Sequence, residues 1–204
     1  MLQKYIAISV AAALLLISLA GCQNPTSSST ASTPTYPALT SASTATQASI
    51  KNVLNDATAA ENQALSSVPS PSTTTATSGS LNVPSQAGLT ITGTWATSNS
   101  NHTVTLDITA TFTDYSDPTT GDKISGTIEI AGSETVTSSS TSITIGLDMK
   151  YMGSLTSTGA DNCTVAPNMT LNETEVLSST NSTTGSVTGT ITYNGTVYDA
   201  SQTL

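Results

Sequence analysis

The sequence predicts a mainly β fold, an antiparallel curved β-meander of about 6–8 strands with one N-terminal amphipathic helix packed on it. From residue 89 onward, apolar residues alternate with Ser and Thr, which is the period of a strand with one dry and one wet side. Short stretches of turn-forming residues separate these strands, so each is expected to pair antiparallel with the next. A single sheet must cover its apolar face, so either it curls around the helix or the strands divide into a β-sandwich, the alternative architecture.

The helix is predicted at residues 48–66, "ASIKNVLNDATAAENQALS". Its apolar residues recur at helical spacing, and Ser49 is a candidate N-cap. Glu61 falls within the apolar stripe and weakens its second half, so an alanine-rich flexible extension is the alternative. Residues 67–88 are predicted to be a linker. The stripe consists of Ile50, Val53, Leu54, Ala57, Ala64 and Leu65.

The β domain is predicted at residues 89–204. In "HTVTLDITATFT" (residues 102–113) Val, Leu, Ile, Ala and Phe alternate with Thr and Asp, and "SITIGLDMKYM" (residues 142–152) repeats the pattern. Pro167 interrupts a later strand and favours an edge or a bulge there. Asn194 and Gly195 predict a two-residue type I′ hairpin. The facing pairs would be Tyr193 with Thr196 and Ile191 with Tyr198.

The first 21 residues have the proportions of a secretory signal peptide. Lys4 supplies a positive charge, and residues 6–20 are apolar apart from two serines. That run is shorter than the roughly 20 residues needed to span a bilayer as a helix. The small residues Ala20 and Gly21 then come directly before Cys22.

Leu19-Ala20-Gly21-Cys22 resembles the lipobox of bacterial lipoproteins. In that family the cysteine thiol receives a diacylglycerol, the signal is cut before the cysteine, and the new amine is usually acylated. The resemblance covers only residues 1–24. The resemblance implies export and a lipid anchor on Cys22. In Gram-negative members of the family an aspartate after the cysteine tends to retain the protein at the inner membrane, so Gln23 at this position favours the outer membrane of a bacterial envelope. The alternative is an ordinary signal peptide with a disulfide between Cys22 and Cys163.

Residues 22–47 are mostly Ser, Thr, Ala and Pro and carry no charge. Such a segment buries too little apolar surface to offset its ordering entropy, which predicts a tether. The whole chain carries 4 basic and 13 acidic residues, a net charge of −9, and no arginine. Phosphate contacts need clustered Lys and Arg, so nucleic-acid binding is excluded, and the acyl chains must supply the membrane attachment.

The chain offers few groups for catalysis or metal binding. His102 is the only histidine and lies in a polar turn, so no Ser-His-Asp set can form without it. The chain also has too few His and Cys side chains to hold a structural zinc ion. Cys163, in phase with apolar residues, is expected to be a buried, inert thiol. A weak candidate calcium loop consists of Asp114, Asp117 and Asp122. We interpret these side chains as solvated acids of a turn. No cofactor is expected.

Asp107, Glu129 and Asp148 lie mid-strand on the predicted polar face. Glycoside hydrolysis needs two acids at a defined separation across a cleft, and no spacing here selects such a pair. The sequence therefore favours a membrane-anchored lipoprotein that is not an enzyme and has a structural or interaction role, with a protein or glycan partner on the threonine-rich face. The alternatives are a carrier of a small apolar ligand between sheet and helix, and a glycan-active enzyme.

Overall fold

The computed structural model describes residues 36–66, 78–98, 103–116, 121–180 and 182–203. In these ranges the chain forms one antiparallel sheet and one α-helix, which confirms the predicted β-meander with a helix. Cys22, His102 and Asp117 lie outside the described residues, as do the predicted signal peptide and residues 67–77. Within the described ranges, no helix is both long enough and apolar enough to cross a membrane.

Eight strands pair in sequence order, each antiparallel to the next, and a short ninth strand pairs with the seventh. A 3-10 turn at Leu39–Ser41 precedes the helix. The elements are α1 Thr44–Ser66, β1 Ser78–Gln86, β2 Leu89–Ser98, β3 Thr103–Ser116, β4 Lys123–Ser138, β5 Ile143–Thr158, β6 Cys163–Leu177, β7 Ser182–Tyr193, β8 Thr196–Asp199 and β9 Gln202–Thr203.

The helix begins at Thr44, earlier than the predicted residue 48. Its N-cap is Ser43, whose Oγ accepts a hydrogen bond from the Thr46 N–H at 3.1 Å. The predicted cap, Ser49, lies inside the helix, and its hydroxyl instead donates to Asp161 Oδ1 at 2.7 Å. The Ser49 prediction was wrong because two serines precede the apolar stripe, and only the one outside the helix can cap it.

The end of the predicted tether belongs to the folded domain. Leu39 is buried, and the Asp199 N–H at the end of β8 donates to the Pro37 carbonyl at 2.8 Å. Ala38 forms an isolated parallel bridge with the same aspartate. The tether predicted at residues 22–47 is therefore too long, because residues 37–47 pack against the edge of the sheet or form the first turn of the helix.

The linker prediction for residues 67–88 is wrong in its second half, where Ser78–Gln86 forms the edge strand β1. Val83 lies opposite Ile91 on β2 and is 1% exposed. Only two apolar residues alternate in this segment, which is too weak a pattern to predict a strand. An edge strand pairs on one side only, and it also tolerates Pro84.

The sheet curls around the helix. Ile50, Val53, Leu54 and Ala57 are all buried, and α1 contacts β1 and β2 at one side of the sheet and β6 near the other. A flat sheet could not meet one helix at such distant strands. The side of the sheet that packs on α1 is called the inner face, and the opposite side the outer face.

Glycines on the inner face permit the strong curvature. Gly126 has a φ of +131° and Gly189 a φ of +123°. A Cβ at Gly126 would overlap the Ser154 carbonyl oxygen of β5, and one at Gly189 would overlap the Asn168 carbonyl oxygen of β6. Neighbouring backbones thus approach at points where only glycine fits, and the sheet bends there.

Pro167 lies in a central strand, so the expected edge or bulge is wrong. β6 pairs with β5 on one side and β7 on the other, and Pro167 is buried opposite Ile191. Pairing with β5 is interrupted between Val165 and Asn168 but resumes in the same register. The missing proline N–H therefore interrupts a single ladder locally, over two successive pairs, and leaves the strand continuous.

The predicted hairpin between β7 and β8 is confirmed. Asn194 and Gly195 both have positive φ, 47° and 83°, as a type I′ turn requires. The Asn194 Oδ1 also accepts the Thr164 N–H of β6 at 2.7 Å, which ties the turn to the neighbouring strand. The facing pairs are Tyr193 with Thr196 and Ile191 with Tyr198, as predicted.

We expect Gly126→Ala to destabilise the protein by about 2 kcal/mol or more, because its Cβ would meet backbone at a positive φ. Gly146→Ala on β5 is the matched control, since the nearest atom to its added Cβ is 4.0 Å away. The control should leave the free energy of unfolding unchanged or raise it slightly. Urea denaturation measures both, and equal losses would disprove the close-approach argument.

Candidate functional site

Asp114 of the candidate calcium loop has a structural role at a β-bulge. Its backbone is left-handed, with φ 48°, where the register of β3 and β4 shifts between Phe112 and Tyr115. Ser125 Oγ accepts the Asp114 N–H at 3.1 Å and donates to Asp114 Oδ1 at 3.3 Å. The extra residue lets both aromatic side chains enter the core, where their rings meet edge to face with centroids 5.9 Å apart.

Asp122 is 3% exposed and connects two loops to the helix. Its carboxylate accepts the backbone N–H of Ala160 at 2.7 Å and that of Asp161 at 3.4 Å. The Asp161 carboxylate then accepts hydrogen bonds from Ser49 at 2.7 Å and from Asn52 at 3.0 Å. Asp122 therefore fixes the turn between β5 and β6, and that turn holds α1.

The described members of the candidate calcium loop therefore have protein partners. Asp117, the third member, lies outside the described residues. Among the residues that the structure describes, no three His, Cys, Asp or Glu side chains converge as metal ligands. The geometry of Asp114 and Asp122 favours bulge and turn stabilisation over cation binding.

The three strand carboxylates lie on the outer face, and all are exposed. Asp107 lies opposite Ala131, and Glu129 lies opposite Thr109, so the two acids are diagonal neighbours with Cβ atoms about 7–8 Å apart. Asp148 lies one strand further on, opposite Ser133. Asp107 and Asp148 border different depressions of the surface, so these acids do not share an enclosed cleft of the kind that glycoside hydrolysis uses.

The outer face is a grid of hydroxyl groups across neighbouring strands. Thr90, Thr111 and Thr127 lie side by side on β2, β3 and β4, and their hydroxyls make no hydrogen bond to other described residues. Two shallow, open depressions of about 400 and 380 Å³ interrupt the grid. Every described aromatic residue of the sheet lies on the inner face, so the outer face offers hydrogen bonds but no ring on which a sugar could stack.

The described residues cover the inner face only in part. Met149 and Leu171, on adjacent strands, are 3% and 1% exposed. Beyond them the strands continue, and the side chains become half-buried, until Ile143 is 42% exposed. This half-buried region is called the uncovered end. It consists of Val104, Glu134, Val136, Ile145, Leu147, Glu173 and Glu175.

Two carboxylates flank one leucine in the uncovered end. Glu134 on β4 lies opposite Leu147 on β5, and Leu147 lies opposite Glu173 on β6. Burial raises the pKa of Glu134. Burial also raises the pKa of Glu173, and the charge of Glu175 adds to the effect. Both shifts arise because the ionised carboxylate loses water without gaining a favourable partner.

Two buried polar atoms, one in the uncovered end and one near it, lack protein partners among the described residues. Glu173 Oε2 is buried and accepts no hydrogen bond, and Gln202 Nε2, next to Val187 on β7, is buried and donates none. Lys51 is exposed on the helix, and the two other described lysines are exposed at outer-face positions of β4 and β5. No described cation therefore neutralises the uncovered end.

Glu134 and Glu173 are not among the candidate site residues predicted from the sequence. A signal was present, because Glu134 is in phase with Ile128 and Ile130, and Glu173 is in phase with Met169 and Leu171. A carboxylate in phase with buried residues is unusual, since buried acids are costly unless paired. Only the register showed that the two acids lie on either side of one residue.

Cys163 is free and 5% exposed, which confirms the predicted burial of its thiol. It lies opposite Ser157, whose buried Oγ has no hydrogen-bond partner. Burial raises the pKa of the Cys163 thiol, and the charges of Asp161 and Asp122 raise it further. The thiol form is favoured, so Cys163 is a poor nucleophile.

The packing between helix and sheet gives no support to the alternative function, a carrier of a small apolar ligand. Ile50, Ile91 and Ile108 are fully buried, so side chains fill the space beneath α1. The two best-formed depressions of the described residues both lie on the outer face.

No protein-family model matches the sequence, and no curated protein or solved structure is similar to it. The features that bear on function are the lipobox-like residues and the two faces of the sheet.

We expect the double variant Glu134→Gln/Glu173→Gln to be more stable than the parent protein at about pH 7. Folding raises both pKa values above the ordinary 4.5, so the contribution of these acids to stability is fully present below that value and is lost as pH rises through the raised values. Between measurements at about pH 4 and about pH 7 the parent should lose stability through these two carboxyls, whereas the variant lacks them.

Urea denaturation at both pH values measures the difference. Glu129→Gln on the exposed outer face is the matched control and should keep the pH dependence of the parent. A double variant that loses stability with pH as steeply as the parent would contradict the assignment.

Two buried polar residues should respond oppositely to alanine. Asp122→Ala should lower the free energy of unfolding by roughly 1–3 kcal/mol, because it leaves two backbone N–H groups without their acceptor. Ser157→Ala should be neutral or stabilising, because the lost hydroxyl has no partner. Thermal or urea unfolding compares them, and a loss at Ser157 as large as that at Asp122 would refute the argument.

Proposed function

We propose that this protein is an exported lipoprotein, anchored to the cell envelope through Cys22, whose β domain has a non-catalytic interaction role. The observation that carries the interaction role is the uncovered end. Partly exposed aliphatic side chains lie there beside carboxylates that no described cation neutralises, so a partner that covers them would remove apolar surface from water and supply a counter-charge.

The lipobox-like residues support the anchor. A single acyl chain holds a protein only reversibly, whereas two or three chains on one cysteine hold it firmly. The described part of the chain begins at residue 36, close in sequence to Cys22, so a lipid there would keep the domain next to the membrane. The low content of basic residues leaves the acyl chains as the source of affinity for the bilayer.

The environment of the reactive groups supports a non-catalytic role. Cys163 is buried with a raised pKa, Asp122 is engaged by backbone amides, and Asp107 and Glu129 are exposed outside any enclosed cleft. Catalytic groups are typically held in clefts with partners that tune their protonation. No observation favours the carrier or the glycan-active enzyme over the interaction role.

Membrane partitioning tests the anchor. The parent protein should fractionate with membranes and be released by detergent but not by high salt, because the attachment is apolar. Cys22→Ala should shift the protein to the soluble fraction. Cys163→Ala is the matched control, since it removes the other cysteine, and it should stay with the membrane. A Cys22→Ala protein that remains with the membrane would rule out the lipid anchor.

A further inference from the structure

We infer that the uncovered end binds a short amphipathic polypeptide segment of a partner protein that carries both apolar and Lys or Arg side chains. This inference rests on the proposed interaction role and specifies its site and its partner. Three features of the uncovered end define the occupant, namely its apolar floor, its unneutralised carboxylates and its small area.

The floor is aliphatic. Leu147 lies in the centre, with Ile145 next along the same face of β5 and Val136 opposite it on β4. These side chains are half-buried, so each still presents apolar surface to solvent. Covering that surface is favourable by roughly 25 cal/mol per Å² removed from water, which requires an occupant with apolar groups.

The carboxylates require that the occupant also be cationic. Glu134 and Glu173 flank Leu147, and their other neighbours in the same row are Val104 and Gly185, which are uncharged. Glu175 is the only further charged group described on this part of the inner face. An ammonium or guanidinium group beside Glu134 and Glu173 would neutralise the carboxylates through charge-assisted hydrogen bonds.

The area limits the size of the occupant. Strands β4 to β6 and the five residues from the exposed Ile143 to Leu147 span about 14 by 17 Å, roughly 240 Å², and Val104 on β3 adds one position at the edge. A standard interface between globular proteins buries about 800 Å² on each partner, several times more. The uncovered end therefore fits a segment of about five or six residues in extended form.

The same charges argue against two other occupants. A second copy of the chain would bring a like surface with the same three acids, in a protein whose net charge is −9. An anionic lipid surface would likewise be repelled. A cationic amphipathic segment is the occupant that the apolar floor and the carboxylates favour together.

The test uses the mature lipoprotein in a neutral detergent and a fluorescent synthetic peptide of about six residues that alternate leucine and lysine. Two matched peptides replace each lysine by glutamine or by glutamate. Fluorescence anisotropy should show saturable binding of the lysine peptide, binding at least about tenfold weaker for the glutamine peptide, and none for the glutamate peptide. Equal binding of the lysine and glutamine peptides would overturn the inference, and so would no binding of the lysine peptide.

Variants locate the site. Glu134→Gln/Glu173→Gln should weaken binding of the lysine peptide by about tenfold or more, whereas Glu129→Gln/Asp148→Asn on the outer face should change it by no more than about twofold. Retained folding of each variant is checked by its unfolding curve. A larger loss in the outer-face variant would place the site elsewhere and overturn the inference.

The two proposals can fail separately. Membrane release by Cys22→Ala reports only the anchor, because that residue lies outside the β domain. Peptide binding reports only the uncovered end. Self-association that blocks the uncovered end, seen by sedimentation of the detergent-solubilised protein, would overturn the peptide inference in favour of a second copy while leaving the interaction role in place.

Discussion

The packing of one helix against the inner face of the sheet determines the rest of this structure. Ile50, Val53 and Leu54 are buried against strands from both sides of the sheet, and burying each such side chain contributes about 1.5–3 kcal/mol. Asp122 and Asp161 hold the helix at its N-terminal half through backbone and side-chain hydrogen bonds. The sheet can reach the helix from both sides only because inner-face glycines let neighbouring strands approach closely.

This packing also creates the candidate site. Strands β4, β5 and β6 are longer than the region that is fully buried, so their far ends keep an apolar inner face with incomplete cover. Glu134 and Glu173 lie there because the alternation of each strand continues past the core. Their raised pKa values follow from the same cause, since partial burial removes water without supplying a cation.

The two faces of the sheet therefore differ in what they can bind. The outer face presents threonine and serine hydroxyls, scattered charges and shallow depressions, so contacts there would be mainly hydrogen bonds. The uncovered end of the inner face combines apolar surface with charge and limits the size of a partner. In the proposed function the lipid on Cys22 sets where the domain is held, and the uncovered end sets what it contacts.

The sequence by itself determined the strands from residue 89 onward, because alternation alone marks which side chains share a face. It also determined the Asn194-Gly195 turn, because only such residues tolerate positive φ at both positions. The lipobox-like motif was also readable from the sequence alone, because its four residues are consecutive. Tertiary structure decided the rest. It placed β1 as an edge strand, moved the helix start to Thr44 and kept Pro167 in a central strand. It also placed Glu134 and Glu173 on either side of one leucine. Cross-strand register and curvature bring together residues that are distant in sequence, and no local sequence pattern specifies which of them will meet.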